Sequence, residues 1–348
     1  MNILIGLSGG LDSTYAAHIL KEQGHEVIGA SVIMHEYTDI SAAKESAEAV
    51  GIPHITIDAR ERFKERVIAR FLADYTAGRT PNPCVECNPA VKFAALCDYA
   101  EANGFDAVST GHYASVLKEN GRYYIRRADD GSKDQSYVLW RLTQKQLSML
   151  YLPLAGMKKA DIREKASALG YKAAEAKDSQ EICFIPDDDY VGYIERALGK
   201  TFPEGDFHNE KGEVIGHHKG LIRYTVGQRK GLGAFGQPMF VSHLDSEANT
   251  VTLVPAGGEF AASMTVNELN FGKLPPMTEG NLEATVKVRY SAKPLPCRIA
   301  FTGDTASVTF LAPVRAVTPG QSAVFYDGDD LLFGGIIDRN YTFSLLKH

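Results

Sequence analysis

The sequence predicts an α/β domain with a doubly wound parallel sheet, followed by a small β-rich middle domain and a C-terminal β-barrel. Three observations predict it. Apolar strand-like runs alternate with helical patterns from the N-terminus to about residue 200, the rhythm of βαβ units. The first such run passes through a glycine turn into a helix. From about Thr201 the helical periods vanish, and Gly, Pro and short alternating segments take over. A chain of 348 residues accommodates two or three domains, and the shifts in pattern put their limits at 1–204, 205–262 and 263–348.

The elements follow in order. Ile3-Leu4-Ile5-Gly6-Leu7 reads as a buried parallel strand, and Thr14 to Gln23 as a helix that Gly24 ends in a left-handed cap. Val27–Ile33 is a strand, Ser41–Val50 a helix closed by Gly51, Ile55–Ile57 a strand and Arg60–Tyr75 a helix. Pro89–Asn103 reads as a helix with Pro89 at its first position, ended by Gly104, and Ala107–Thr110 as the next strand. A hairpin turning at Asn120-Gly121 interrupts the rhythm; Lys158–Leu169 and Asp187–Leu198 are helical again. Thr285–Tyr290, Arg298–Phe301, Ser307–Leu311 and Ser322–Tyr326 read as barrel strands. Ligands of doubly wound sheets sit at the carboxyl ends of the strands. Gly10, Gly111 and His112 all fall just after strands and can face one cleft.

Ser8-Gly9-Gly10-Leu11-Asp12-Ser13 carries the most information. A glycine turn between strand and helix binds phosphate, because backbone N–H groups without helical partners point outward and the helix dipole favours an anion. Gly9 and Gly10 allow close approach, and Ser8 and Ser13 can add hydroxyl donors. No Gly-Lys-Ser/Thr follows, so the turn is not a Walker A loop, and the turn itself is not a G-x-G-x-x-G. Asp12 stands where a carboxylate can hold Mg²⁺ beside pyrophosphate; the plainer reading makes it the N-cap of the helix.

Net charge is −6, so the broad basic footprint of a nucleic-acid binder is missing, and any such contact must come from local clusters. No apolar run is long enough for a membrane helix and the N-terminus enters a strand directly, so a cytoplasmic protein with no membrane association is expected.

Five cysteines do not suggest a disulfide framework. Cys84 and Cys87 flank Val85-Glu86 after a Pro-rich loop. With a helix opening at Pro89, Cys87 lies within a turn of its N-terminus, a position that favours thiolate, and Lys92 adds positive charge. A zinc half-site is the alternative, but no second ligand pair exists. Cys183, between Ile182 and Phe184, reads locally as a core residue, as do Cys97 and Cys297. Arg289 shares one strand face with Thr285 and Lys287, and Arg229-Lys230 lies in the turn Gly227–Gly233; both can hold phosphate or simply face solvent. His112 alone reads more readily as a hydrogen-bonded structural histidine.

The Ser-Gly-Gly-x-Asp-Ser string resembles the loop of the N-type ATP pyrophosphatase superfamily, with Leu11 where Val is usual. Further motifs extend the likeness over essentially the whole chain: Gly78-Arg79-Thr80-Pro81-Asn82-Pro83 with Cys87-Asn88 and Lys92-Phe93, Thr110-Gly111-His112-Tyr113, Lys133-Asp134-Gln135-Ser136-Tyr137, and Asp178-Ser179 with Ile182-Cys183-Phe184-Ile185. Gly227-Gln228-Arg229-Lys230-Gly231-Leu232-Gly233, Arg289-Tyr290 and Pro319-Gly320-Gln321-Ser322 complete them. Together they resemble the tRNA-specific 2-thiouridylases. The resemblance implies that 1–204 is the catalytic domain and 263–348 touches tRNA. It implies that Gly6, Leu7, Ser8, Gly9, Gly10, Leu11, Asp12 and Ser13 bind ATP, with Val32 and Gly111 at adenosine. Asn82, Pro83 and Cys84 would line the pocket for the target base, with His112 near it, while Lys133, Asp134, Gln135, Arg289, Tyr290 and Gln321 would touch tRNA. Cys183 would carry a persulfide and Cys87 would resolve it.

The implied reaction is ATP-dependent 2-thiolation of the wobble uridine, with a cysteine desulfurase or sulfur-relay protein as donor. Cys84 stands where relatives often have Asp, and the segment His35–Ser41 is short. Alternatives are thiolation by an iron–sulfur cluster on Cys84, Cys87 and Cys183, an amidating pyrophosphatase without essential thiols, and a non-catalytic RNA-binding module.

Overall fold

The computed structural model describes residues 1–175 and 182–338. The strand Asn2–Gly6 is the centre of a five-stranded parallel sheet, between Glu26–Ile33 and Ala107–Ser109. Its alternation splits the core: Ile3 and Ile5 enter one cluster with the helices Leu11–Glu22, Ser41–Val50 and Lys159–Ala168, while Leu4 enters the other with Phe93 and Leu96. His54–Asp58 and Leu150–Tyr151 are the edges. The chain order reverses at Asn2–Gly6, so the switch point lies between that strand and Ala107–Ser109, where ligands of such sheets bind.

Most predicted elements form with small shifts at their ends, and the one that differs most is the helix that carries Cys87. The helix expected from Pro89 starts instead at Pro83, where the Asn82 side chain accepts from the Cys84 N–H at 3.1 Å. It runs through Pro83–Cys87, a five-residue π-turn Asn88–Lys92 and Phe93–Ala102. Pro89 lies inside this helix; it has no N–H and its ring crowds the preceding turn, and the wider turn absorbs both. The helix expected at Arg60–Tyr75 likewise carries a π-turn, Lys64–Ile68, before Ala69–Thr76, and the two π-turns pack together.

The hairpin Ala114–Glu119/Arg122–Arg127 turns at Asn120 and Gly121, both with positive φ. It leaves the parallel sheet and joins the C-terminal barrel, where Arg126 pairs with Asp330. That barrel closes six antiparallel strands, from Phe260–Phe271 around to Asp330–Ile337. Its interior is packed with aromatic rings, Phe325 stacking on Phe333 at 4.2 Å. Between them lies a four-stranded sheet of Gly205–His208, Val214–His218, Met239–Asp245 and Thr250–Pro255 around Phe207, Val241 and Leu253.

The strand expected at Thr285–Tyr290 ends at Lys287. Lys287 is buried against the rings of Tyr137 and Tyr290, and Arg289 donates to the Arg315 carbonyl, so the expected basic strand face does not form.

Candidate active site

At the switch point the turn after Gly6 and the segments after Ile33 and Ser109 enclose a cavity of about 300 Å³. Gly6, Leu7, Ser8, Asp12 and Ser13 line one side, Gly111, His112 and Gln135 another, and Val32, Met34, Thr38 and Asp39 a third. No side chain caps the helix Leu11–Glu22, so its N-terminal N–H groups stay open to a ligand. The N-cap is Gly10, which removes the reading of Asp12 as cap. Gly9 has φ +79°, and a Cβ there would meet the Ala42 backbone at 2.5 Å. Gly111 lies over the helix start, where a Cβ would stand 2.6 Å from the Ser13 nitrogen. Leu11 turns into the core, so only its backbone can serve the loop. The Ser13 hydroxyl closes the turn on itself, 3.0 Å from that of Ser8 and donating to the Gly10 carbonyl.

Asp12 takes two contacts that sequence reasoning missed. The Tyr113 hydroxyl donates to its Oδ1 at 2.7 Å, and Lys159 Nζ lies 3.0 Å from Oδ2. Lys159 opens the helix Lys159–Ala168, about 147 residues away in sequence, so no local pattern pointed to it. His112 is pinned by Thr110, with 2.7 Å between hydroxyl and Nδ1; burial, and then Lys92, push it down to about 3.

The thiols meet this cavity through Met34. It lines the cavity, and its sulfur lies 3.5 Å from Cys87 Sγ. Cys87 is buried, and burial pushes its thiol up to about 12 against the opposing charge of Lys92. The expected thiolate is therefore not the resting form: with the helix starting at Pro83, Cys87 lies beyond its open first turn, and Cys84 occupies that turn instead. Cys183 is exposed, contrary to its local reading as a core residue, because Phe184 and Ile185 fill the core beside it, Phe184 against Phe63 and Phe71. The walls around its sulfur still raise its thiol, with Cys84 adding and Lys92 opposing. Cys84, Cys87 and Cys183 thus lie within electrostatic reach of one another; Cys97 and Cys297 are buried as expected. Asp178-Ser179 lies outside the described residues.

Asn82, Pro83 and Cys84 sit where the three parts of the chain meet. Thr80 N–H donates to the Pro319 carbonyl, its hydroxyl lies 3.1 Å from that of Thr225, and Gln321 donates to its carbonyl at 2.7 Å. Gln321 therefore fixes this junction. Asp134 is buried, accepting from Ser136 and Ala128, and Gln135 accepts from the Tyr113 N–H, so both shape the loop of Lys133 from within. Tyr290 is exposed above Tyr137. Glu86, between the cysteines, is buried under Arg141 at 2.7 Å and Arg70 at 3.6 Å, and both arginines also bind Glu268 of the barrel.

Comparison with known proteins follows this division. Residues 1–187 match the family model of the tRNA methyl transferase HUP domain, 192–255 that of the tRNA methyl transferase PRC-barrel domain and 261–337 that of the aminomethyltransferase beta-barrel domain. The tRNA-specific 2-thiouridylase MnmA of Geotalea uraniireducens is 43% identical, with 97% of this chain and 95% of that protein covered. Its namesake from Clostridium acetobutylicum is 42% identical over 96% of this chain and 99% of that one. That of Chlorobium luteolum is 43% identical over 97% and 96%. With an uncapped helix start at the sheet's switch point, exposed and buried thiols beside it and likeness along nearly its full length, this chain belongs to the tRNA-specific 2-thiouridylase family.

Proposed function

We propose that the protein is an ATP-dependent tRNA-uridine 2-sulfurtransferase acting on the wobble uridine. One observation carries this reading: Met34 is at once a wall of the cavity at the glycine turn and the neighbour of Cys87, which supports nucleotide and sulfur chemistry within one site. ATP would lie on the loop Gly6–Ser13, with adenosine toward Val32 and Gly111. The target base would enter past Asn82, Pro83 and Cys84, leaving its stack as a single-stranded base can.

The uridine O2 attacks the α-phosphorus of ATP and expels pyrophosphate, which the open N–H groups of the loop and Lys159 receive. The terminal sulfur of a Cys183 persulfide attacks C2, and AMP departs with the former O2. Cys87 then attacks Cys183 Sγ, breaking the S–S bond; the sulfur stays on C2 as the thiocarbonyl, and Cys87 and Cys183 are left as a disulfide for a thiol reductant. Because Cys87 rests protonated, it acts last, after the exposed Cys183 has been loaded by a desulfurase or relay protein. His112, neutral at physiological pH, would orient the base by hydrogen bonding and would not act as a proton-transfer group.

Asp12, now engaged by Tyr113 and Lys159, would hold Mg²⁺ beside the loop by exchanging one of these contacts for the ion, which when bound would neutralise pyrophosphate charge. Lys133, Arg289 and Tyr290 would meet tRNA, and the three parts would act as domains 1–204, 205–262 and 263–348 in the cytoplasm. Among the described residues no helix is long and apolar enough to cross a membrane.

The test is incubation of tRNA transcripts with ATP and a cysteine desulfurase, followed by nucleoside analysis. The proposal expects 2-thiouridine at the wobble position with release of AMP; unmodified uridine there would contradict it. The mutual reach of Cys84, Cys87 and Cys183 favours a second reading, an iron–sulfur centre, although among the described residues no three His, Cys, Asp or Glu side chains group as a metal site. Iron in anaerobically purified protein, lost in Cys84→Ser together with activity, would favour that reading.

A further inference from the structure

Lys92 is a half-buried cation on the wall between the two chemistries, and among the described residues no carboxylate pairs with it. It lines the cavity with Ser8, Asp12, Asp39 and His112. The π-turn accounts for its direction. An ordinary helix would turn a residue five positions after Cys87 well away from it, whereas the wider turn, closed by the Phe93 N–H on the Asn88 carbonyl, brings Lys92 back over Cys87. Its charge reaches Cys87, Cys183 and His112 and favours the anionic form of both thiols. An unpaired ammonium at such depth is costly unless an anion arrives to meet it.

We propose that Lys92 is a binding and catalytic group serving both half-reactions: its ammonium faces the nucleotide phosphate on one side and the sulfur-bearing thiols on the other. It draws the α-phosphate toward the cysteines and stabilises the sulfur anion that attacks beside it. The π-turn at Asn88–Lys92 is the device that aims it. This inference rests on the thiolation reading for its role in turnover, but its two electrostatic effects can be measured without turnover.

The experiment compares wild type with Lys92→Met and Lys92→Arg. The first measurement is iodoacetamide labelling of Cys183 against pH, read by mass spectrometry of its peptide. The other groups facing that thiol, Cys84 from the same wall and the backbone N–H groups of 183 and 184, are unchanged in the variants. The second is the affinity for ATP alone by calorimetry, with Asp12, Asp39 and His112 left in the cavity. Lys92→Met is expected to slow Cys183 labelling at pH 8 about tenfold, equivalent to one pKa unit, and to weaken ATP about tenfold. Lys92→Arg, which keeps the charge and guards against a folding defect in the first variant, should retain most of both. Wild-type labelling and ATP affinity in Lys92→Met would overturn the proposal, and so would loss of only one of the two. A wild-type protein that makes no 2-thiouridine would instead defeat the functional reading, leaving these measurements to decide on Lys92.

Discussion

Arg141 donates to Glu86, the residue between Cys84 and Cys87, at 2.7 Å, and its second terminal nitrogen binds Glu268 of the barrel. Glu268 has a left-handed φ of 49° at an irregularity of its strand, so the barrel backbone is bent to deliver this carboxylate. The thiol helix and the barrel are thus clasped through this guanidinium, with that of Arg70 beside it. Arg141→Met leaves Glu86 with longer contacts to Arg70 and Arg66, at 3.6 and 3.9 Å. It should destabilise the protein by ~3 kcal/mol in urea denaturation, because a buried carboxylate loses its nearest partner. An unchanged midpoint would show that the clasp contributes nothing.

The same clasp gives an acid response. Burial raises the Glu268 carboxyl, but Arg70 and Arg141 outweigh it and hold it below its ordinary value. A lowered carboxyl contributes stability above its unfolded pKa and loses it as pH falls through the folded one. Glu268→Gln should therefore lower the melting temperature at pH 7 and converge toward wild type below pH 4.

Asp12 and Lys159 pair at the helix start and form the polar end of the proposed nucleotide site. Asp12→Asn should abolish AMP formation while leaving tRNA affinity intact. Lys159→Met should raise KM for ATP about tenfold, the loss of one charge-assisted contact, with thiol reactivity unchanged. Steady-state kinetics at varied ATP separate the two.

The proposed mechanism divides the thiols by task. Cys183→Ser and Cys87→Ser should each eliminate 2-thiouridine, yet leave tRNA-dependent release of pyrophosphate measurable, because adenylation precedes sulfur transfer. Cys84→Ser should keep activity within a few-fold under direct persulfide transfer.

His112 provides a stability signature. Its folded pKa of about 3 lies below the ordinary 6.5, so the unfolded chain takes up a proton first as pH falls. Stability from this residue is complete above 6.5 and declines by about 1.4 kcal/mol per pH unit below it. Denaturation curves of His112→Asn should show a correspondingly flatter dependence between pH 6.5 and 4.5.

The sheet and the glycine turn into its first helix were legible because an apolar run, two glycines and a helical period are local signals. The helix containing Cys87 was misread for a local reason: Pro89 looks like a helix start, and nothing in the sequence announces a π-turn that tolerates proline inside. The thiol pKa followed the same error. Cys183 could not be placed from Ile and Phe beside it, because which of the three faces the core depends on Phe63 and Phe71, over 100 residues earlier. Lys159, Glu268 and Arg141 were invisible because their partners are set by tertiary packing. The basic strand face failed because the barrel curls Lys287 inward onto two tyrosines.

Tracing oxygen tests the account most directly. tRNA carrying oxygen-18 at O2 of the wobble uridine is thiolated with ATP, and the AMP released is analysed by mass spectrometry. Activation of O2 predicts one oxygen-18 in the AMP phosphate for each 2-thiouridine formed; unlabelled AMP alongside 2-thiouridine would contradict it.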